Sequence, residues 1–264
     1  MLAQRVLSAI VLAPLLLLAV AAGGIWFLVA AVAISLMANW ELYSLLRRAG
    51  FSPLWPFGVV TSVAFVVNGY LQLGEAATHI FALSLAISLM YLLFRDKLSG
   101  SLLDWALTWL PPLYAGFLLS YTVSLRGFPS GDRWLYLVLG VTWSTDVAAY
   151  FVGRAIGRHS FFPRISPRKT LEGAIGGFVG GLLCGGLLSW YFGWDFAHIL
   201  PLSAIASVAA EVGDLAESFI KRQLGTKDAS RIIPGHGGIL DRMDSLIFVG
   251  IVTYFWALWI GGAR

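Results

Sequence analysis

Charge is scarce in this chain: Asp, Glu, Lys and Arg together make up 12% of its 264 residues, roughly half the share of an ordinary soluble domain. So few ionised groups cannot cover a water-facing surface, which argues against a soluble globular protein. Cysteine is nearly missing. The lone Cys184 has no partner for a disulfide or a thiolate metal site, and its apolar surroundings make it a packing residue. No low-complexity tract and no soluble domain interrupts the sequence. Its longest polar stretches, 153–170 and 222–242, are too short to fold alone.

What is present in excess is apolar. Hydrophobic residues account for 58% of the chain and the mean hydropathy is +0.80, so the solvent for most of the surface is lipid. A hydrocarbon core ~30 Å thick takes about 20 apolar residues per helical crossing. Polar interruptions divide the chain into nine such segments: 6–22, 25–45, 56–73, 79–94, 102–123, 134–151, 171–192, 196–215 and 246–260. The expected fold is therefore an all-α, polytopic integral membrane protein with about nine transmembrane helices. Gly23-Gly24 leads directly from the first segment into the next, so that segment reads as a helix rather than a cleaved signal peptide.

Basic residues set the orientation, because translocating basic loops is disfavoured. With the N-terminus cytoplasmic and nine crossings, 15 of the 18 Lys and Arg residues lie inside, leaving Arg126, Arg133 and Arg264 outside. The C-terminus then lies outside as well. A miscount of one crossing would reverse every loop after it and destroy that asymmetry. The net charge of +4 thus reports topology and gives no support to a nucleic-acid partner.

Residues 1–123 read as transmembrane scaffold, and 124–264 as a catalytic region with cytoplasmic polar loops. In the scaffold, Glu41 is expected to be an acid snorkelling to the interface, with pairing to a basic residue as the alternative. Pro111-Pro112 should kink the fifth helix. In the seventh, Gly173, Gly177, Gly181 and Gly185 recur every fourth residue, forming a smooth stripe for a closely packed helix. Spacing does not say whether that helix comes from the same chain or from a second subunit.

The charges inside apolar runs point to chemistry. Asp146 shares a helix face with Tyr150 and Arg154, an arrangement open to a structural ion pair as much as to a functional acid. The adjoining polar stretch, read as a loop from Gly153 onward, carries Arg154, Arg158, Arg164, Ser166, Arg168 and Lys169 up to a helix starting at Leu171. Cations beside a helix N-terminus favour an anion, although a positive-inside loop attracted to acidic head groups explains the arginines alone. With Glu211 taken as zero, Asp214, Ser218, Lys221 and Arg222 fall at about 300°, 340°, 280° and 20° around the eighth helix. One face thus combines carboxylates with cations, as metal-assisted phosphoryl chemistry requires, while i to i+4 salt bridges such as Glu217 to Lys221 are the plainer alternative.

The next segment shifts that balance. Lys227-Asp228 is followed by Pro234-Gly235-His236-Gly237-Gly238-Ile239-Leu240-Asp241-Arg242, in which glycines let backbone amides approach an anion. His236 suits phosphate contact better than general-base work, and Asp241 and Asp244 enter the last helix as possible metal ligands or caps.

Taken together, Ser218-Phe219-Ile220-Lys221-Arg222, Lys227-Asp228 and the run from Pro234 to Arg242 resemble the full signature of the phosphatidate cytidylyltransferase family, also called CDP-diacylglycerol synthases. The block from Asp146 to Tyr150, with Gly153-Arg154, Gly157-Arg158, Ser166-Pro167, Lys169-Thr170 and Glu172-Gly173, is similar to a second stretch of that family. The resemblance implies that a phosphatidic acid oxygen attacks the alpha phosphorus of CTP and expels pyrophosphate. It makes Asp214 and Asp241 the metal carboxylates, with Asp244 as the neighbouring acid, Mg2+ as the ion and K+ as the candidate for a second position. Lys221 and Arg222 join the two aspartates as catalytic residues. Substrate contacts are expected from Ser218, Lys227, Asp228, His236, Gly237, Gly238, Arg242, Asp146, Arg154, Ser166 and Lys169. The expected partners are CTP, phosphatidic acid, membrane lipid and, from the family, a second copy in a homodimer. A bacterial source would place the protein in the inner membrane. A kinase or cytidylyltransferase for another membrane lipid, and a cation-coupled transporter, are the competing readings. The transporter would carry its polar residues across the midplane rather than at helix ends.

Overall fold

The computed structural model describes residues 2–94, 100–230 and 237–260, with side chains from Ile10 onward. Five helical rods are long and apolar enough to cross a membrane: Gly24–Arg48, Ser101–Leu125, Gly131–Ile156, Leu171–Phe192 and Phe196–Gln223. Their outer faces carry exposed Trp26, Leu187 and Trp190, a surface suited to hydrocarbon and its interface rather than water. The protein is thus an all-α polytopic membrane protein, apart from one short hairpin. The chain divides into two compact units, Met1–Gly127 with Leu224–Leu240, and Phe128–Gln223 with Asp241–Arg264.

The first unit contains α1 (Leu2–Ala22), α2 (Gly24–Arg48), α3 (Trp55–Leu71), α4 (Ala76–Leu92), α5 (Ser101–Pro112), a π-helical turn (Leu113–Leu118) and α6 (Leu119–Leu125). Pro111-Pro112 does not simply kink the fifth rod. Neither proline supplies an N–H, so the carbonyls of Leu107 and Thr108 lose their helical donors, and the chain resumes helix through the wider π turn. Tyr43 Oη from α2 donates to the Thr108 carbonyl at 2.7 Å. Ser35 Oγ donates to the Ala115 carbonyl inside the π turn at 2.7 Å, and Ser62 Oγ lies 2.9 Å from Ser35 Oγ. Asn39 Nδ2 completes this buried cluster, donating to Ser62 Oγ at 2.7 Å and to the Ser35 carbonyl at 2.8 Å. Unpaired backbone is costly in a membrane, and the short polar side chains of α2 and α3 offset it.

Glu41 does not snorkel to solvent. It is fully buried and accepts from the backbone N–H groups of Ile239 at 3.0 Å and Leu240 at 2.8 Å, and from Ser230 Oγ. A carboxylate can stay inside a lipid-embedded unit when donors fill both of its oxygens, and here they do.

The second unit contains α7 (Gly131–Ile156), a hairpin of β1 (Ser160–Phe162) and β2 (Ser166–Thr170), α8 (Leu171–Phe192), α9 (Phe196–Gln223) and the body of α10 (Leu240–Trp259). The glycine stripe finds its partners within this unit. A methyl on Gly173 would fall 2.9 Å from the Ala149 carbonyl of α7, one on Gly177 2.9 Å from Glu211 Oε1 of α9, and those on Gly181 and Gly185 would strike Ser207 and Ser203 of α9. The stripe therefore seats α8 against α7 and α9 of the same chain. Two local expectations change. Gly153 to Ile156 form the last turn of α7 rather than a loop, because Gly153 has no side chain to strike Thr170 and Gly173. The second half of the polar stretch pairs as the antiparallel hairpin, Ser160 opposite Thr170 and Phe162 opposite Ser166.

Candidate active site

The site is assembled in the second unit, where β2 ends and α8 begins. Thr170 caps α8, its Oγ1 accepting from the Gly173 N–H at 3.1 Å. Two residues on, Glu172 accepts from the N–H groups of Arg158 at 3.0 Å and His159 at 3.2 Å and pairs with the His159 ring. These bonds occupy the start of α8 with protein groups and fix the turn between α7 and the hairpin. The chain direction that results sends Lys169, the residue before the cap, onto α9.

There Lys169 Nζ lies 2.7 Å from Asp214 Oδ2, with both side chains about a third exposed. Asp214 also accepts from Ser218 Oγ at 3.3 Å, one helical turn further. Asp214 acts through space on Asp146, Glu211 and Asp244, while Lys169 opposes it at Asp146 and Glu211 and Arg242 does so at Asp146. Glu211 Oε1 is buried with no hydrogen-bond partner. Carboxylates from α7, α9 and α10 thus lie within electrostatic reach of Asp214, with Lys169 and Arg242 as the opposing cations.

A second cluster sits on the same face of α9. Lys221 is buried and bridges Glu217, one turn before it, and Asp241 at the start of α10. Arg222 Nε donates to the Ile165 carbonyl of the hairpin at 3.1 Å, tying the end of α9 to the β1–β2 turn. The approach of α10 depends on Gly213, where a methyl would come within 2.5 Å of the Asp244 carbonyl. A side chain there would push Asp244 away from its neighbour Asp214. Asp244 itself is buried, and its Oδ1 accepts the N–H of Ser245 at 2.8 Å.

Asp146, Lys169, Asp214, Ser218, Lys221, Arg222, Asp241, Arg242 and Asp244 thus belong to one unit, with Arg242 acting electrostatically on Asp146. For Arg154 the structure bears only on the alternative of a structural ion pair with Asp146. Its guanidinium donates to Tyr150 Oη at 2.9 Å, so the structural Asp146–Arg154 pair does not form, and Lys169 and Arg242 balance the aspartate instead. Ser166 opens β2. Lys227 and Asp228 are exposed in the first unit, Gly237 and Gly238 close the segment that contacts Glu41, and His236 lies outside the described residues.

Among the described residues no three His, Cys, Asp or Glu side chains stand converged as a metal site, and Asp214 and Asp241 each hold a lysine. The donor set nevertheless fits a hard divalent ion: it is all carboxylate oxygen, and the Glu211 Oε1 is an unused buried acceptor. Two features went unread in the sequence. The Glu172 clip on residues 158–159 and the Glu41 contact with the 230–240 segment have no local signature, since the second joins residues 198 and 199 positions apart.

Residues 3–259 match the profile of the Cytidylyltransferase family. The chain is 38% identical over 259 residues to the phosphatidate cytidylyltransferase of Brucella suis biovar 1, covering 95% of this chain and 91% of that one. It is 32% identical over 263 residues to that of Bacillus subtilis, with 96% of both chains covered. The Synechocystis enzyme of the same name is 31% identical over 285 residues, covering 97% and 96%.

Proposed function

The chain belongs to the cytidylyltransferase family, and on that premise we propose how its residues carry out the phosphatidate cytidylyltransferase reaction. The protein is an integral bacterial-type membrane nucleotidyltransferase that converts CTP and phosphatidic acid to CDP-diacylglycerol and pyrophosphate. An oxygen of the lipid phosphate forms a bond to the alpha phosphorus of CTP. The bond from that phosphorus to the oxygen bridging to the beta phosphorus breaks, and pyrophosphate carries away the electron pair.

The lipid phosphate is already anionic near neutral pH, so the reaction needs charge neutralisation and alignment more than a general base. The observation that carries the residue assignment is the pair of lysine-centred clusters, Lys169 on Asp214 and Lys221 on Asp241. Each ammonium keeps a carboxylate in place and offers charge to an arriving phosphate. Asp214 and Asp241, with Asp244 beside them, would hold Mg2+, and K+ is the candidate for a second position near Glu211. A bound divalent ion supplies further positive charge to the alpha phosphate and the leaving pyrophosphate. Ser218, Arg242, Asp146 and Lys169 would contact the substrates from the second unit. Lys227, Asp228, His236, Gly237 and Gly238 would cradle the nucleotide phosphates, and Ser166 and Arg154 would border the lipid head group. Lys227→Ala and Arg242→Ala should each raise the KM for CTP, and unchanged values in both would contradict the phosphate roles.

Nine crossings with a cytoplasmic N-terminus put both polar stretches on the side where CTP is found, and the basic-residue asymmetry supports that topology. The glycine stripe is used within the chain, so a homodimer would have to form through other surfaces. The deciding assay incubates purified protein with Mg2+, radiolabelled CTP and a panel of lipid phosphates. Label in CDP-diacylglycerol only with phosphatidic acid is expected. Equal labelling of another lipid phosphate would replace the substrate assignment.

A further inference from the structure

We propose that Glu41 is a positioning residue for the nucleotide-binding segment, pinning the two ends of residues 230–240 to one buried carboxylate. The proposal rests on the reading that this segment serves CTP. Glu41 lies in α2, almost two hundred residues away in sequence, yet it shares a compact unit with Leu224–Leu240. Its Oε1 takes both Ser230 Oγ and the Ile239 N–H, and its Oε2 takes the Leu240 N–H. In sequence Ser230 precedes the glycine-rich run and Leu240 ends it, so a single side chain holds described residues on both sides of that run. Gly238 is shaped to that contact, since a methyl on it would come within 2.5 Å of Glu41 Oε2.

The chemistry indicates more than a prop. Leu240 is the first residue of α10, and helix-initial N–H groups have no partner within the helix. A carboxylate satisfies them with charge-assisted bonds and complements the positive end of the helix. Neutral groups would have sufficed to hold α2 in place, as Ser35, Asn39 and Ser62 do nearby. Burying an ionised group instead is costly unless its bonds fix something whose position matters. What Glu41 fixes is flanked by Lys227-Asp228 on one side and, across a single peptide bond from Leu240, by Asp241-Arg242 on the other.

The test uses full-length protein in detergent or nanodiscs, comparing wild type with Glu41→Ala, Glu41→Gln and Ser230→Ala. Two quantities are read: hydrogen exchange of peptides covering 237–242, and initial rates against CTP and phosphatidic acid separately. Glu41→Ala should speed exchange at the amides of Ile239 and Leu240 and raise the KM for CTP, each by about tenfold or more, from the loss of charge-assisted bonds. The KM for phosphatidic acid should change by less than about twofold, because the lipid does not depend on the loop ends. Glu41→Gln, which keeps one acceptor oxygen, should recover part of both effects, and Ser230→Ala should show a smaller version of each. Unchanged exchange in Glu41→Gln and Ser230→Ala, or a loss of kcat with both KM values unaltered, would overturn the proposal. These two milder variants decide the matter if Glu41→Ala does not yield folded protein. A wild-type enzyme that ignores phosphatidic acid would remove the substrate assignment alone, because the exchange comparison still judges whether Glu41 holds the segment.

Discussion

Within Met1–Gly127, buried polar side chains mostly answer backbone needs: Tyr43 covers a carbonyl stranded by Pro112, Ser35 covers one in the π turn, and Asn39 and Ser62 complete the cluster. Within Phe128–Gln223 and Asp241–Arg264 the same neutral bonds recur, at Thr142, Ser203, Ser207 and Thr253, and a buried ionic set of Glu217, Lys221 and Asp244 joins them. Of the four charged residues buried among those described, Glu217, Lys221 and Asp244 belong to the second unit, and only Glu41 to the first. Neutral hydrogen bonds of the first kind answer backbone needs inside lipid. Buried carboxylates stabilise little by themselves, so the second kind suits the proposed site for a cation and phosphates.

The sharpest way to break this comparison is to remove an acid and ask whether the fold notices. Asp214→Ala should abolish CDP-diacylglycerol formation, a loss of about a thousandfold or more if Asp214 holds transition-state charge. The partner Lys169 is partly exposed, so its release should cost stability less than ~1 kcal/mol. Assay of the purified variant beside its apparent Tm checks both halves. Normal turnover would return Asp214 to a structural role.

Lys221 tests the boundary between the two kinds of polarity, because it is buried and holds Glu217 and Asp241 together. Lys221→Met should lower stability by about 3–5 kcal/mol, the cost of leaving the buried Glu217 carboxylate without its cation. Adding Glu217→Gln should restore much of that stability by removing one uncompensated charge, without restoring turnover. Recovery of activity in the double variant would show that Lys221 serves packing alone.

The glycine stripe supplies a control within the second unit that carries no charge. Gly181→Ala would drive a methyl into Ser207 Oγ and Thr145 Oγ1, forcing α8 away from α9 and α7 at a cost of about 1–3 kcal/mol. The KM for CTP should stay within about twofold while the apparent Tm falls. A changed KM at constant Tm would tie the stripe to the site rather than to helix packing.

How much of this was legible in the sequence follows the range of the interactions. Helical spacing along α9 placed Asp214, Ser218, Lys221 and Arg222 on one face, and that face is where both lysine clusters sit. The fourfold glycine period signalled a close helix contact but could not name the partner, which depends on tertiary packing. Asp146 and Arg154 share a face, yet Tyr150 takes the arginine and Lys169 reaches the acidic cluster from β2. The hairpin was missed because Ser166 to Thr170 holds a proline and four polar side chains and lacks the apolar alternation of a strand. Glu41 was misread for the same reason of distance: its donors are supplied by a segment that periodicity along α2 cannot see.

The smallest effect belongs to the neutral side of the comparison. Tyr43→Phe removes the hydroxyl that donates to the Thr108 carbonyl while keeping the ring in its fully packed position. That carbonyl then has neither its helical donor, which Pro112 lacks, nor a side chain to replace it, and the expected loss is about 1–2 kcal/mol. Because Tyr43 contacts none of the ionised groups proposed to act on the phosphates, kcat and both KM values should be unchanged. If turnover fell while the apparent Tm held, the neutral network of the first unit would share in the chemistry, and the division between a self-satisfied scaffold and a charged site would fail at its weakest joint.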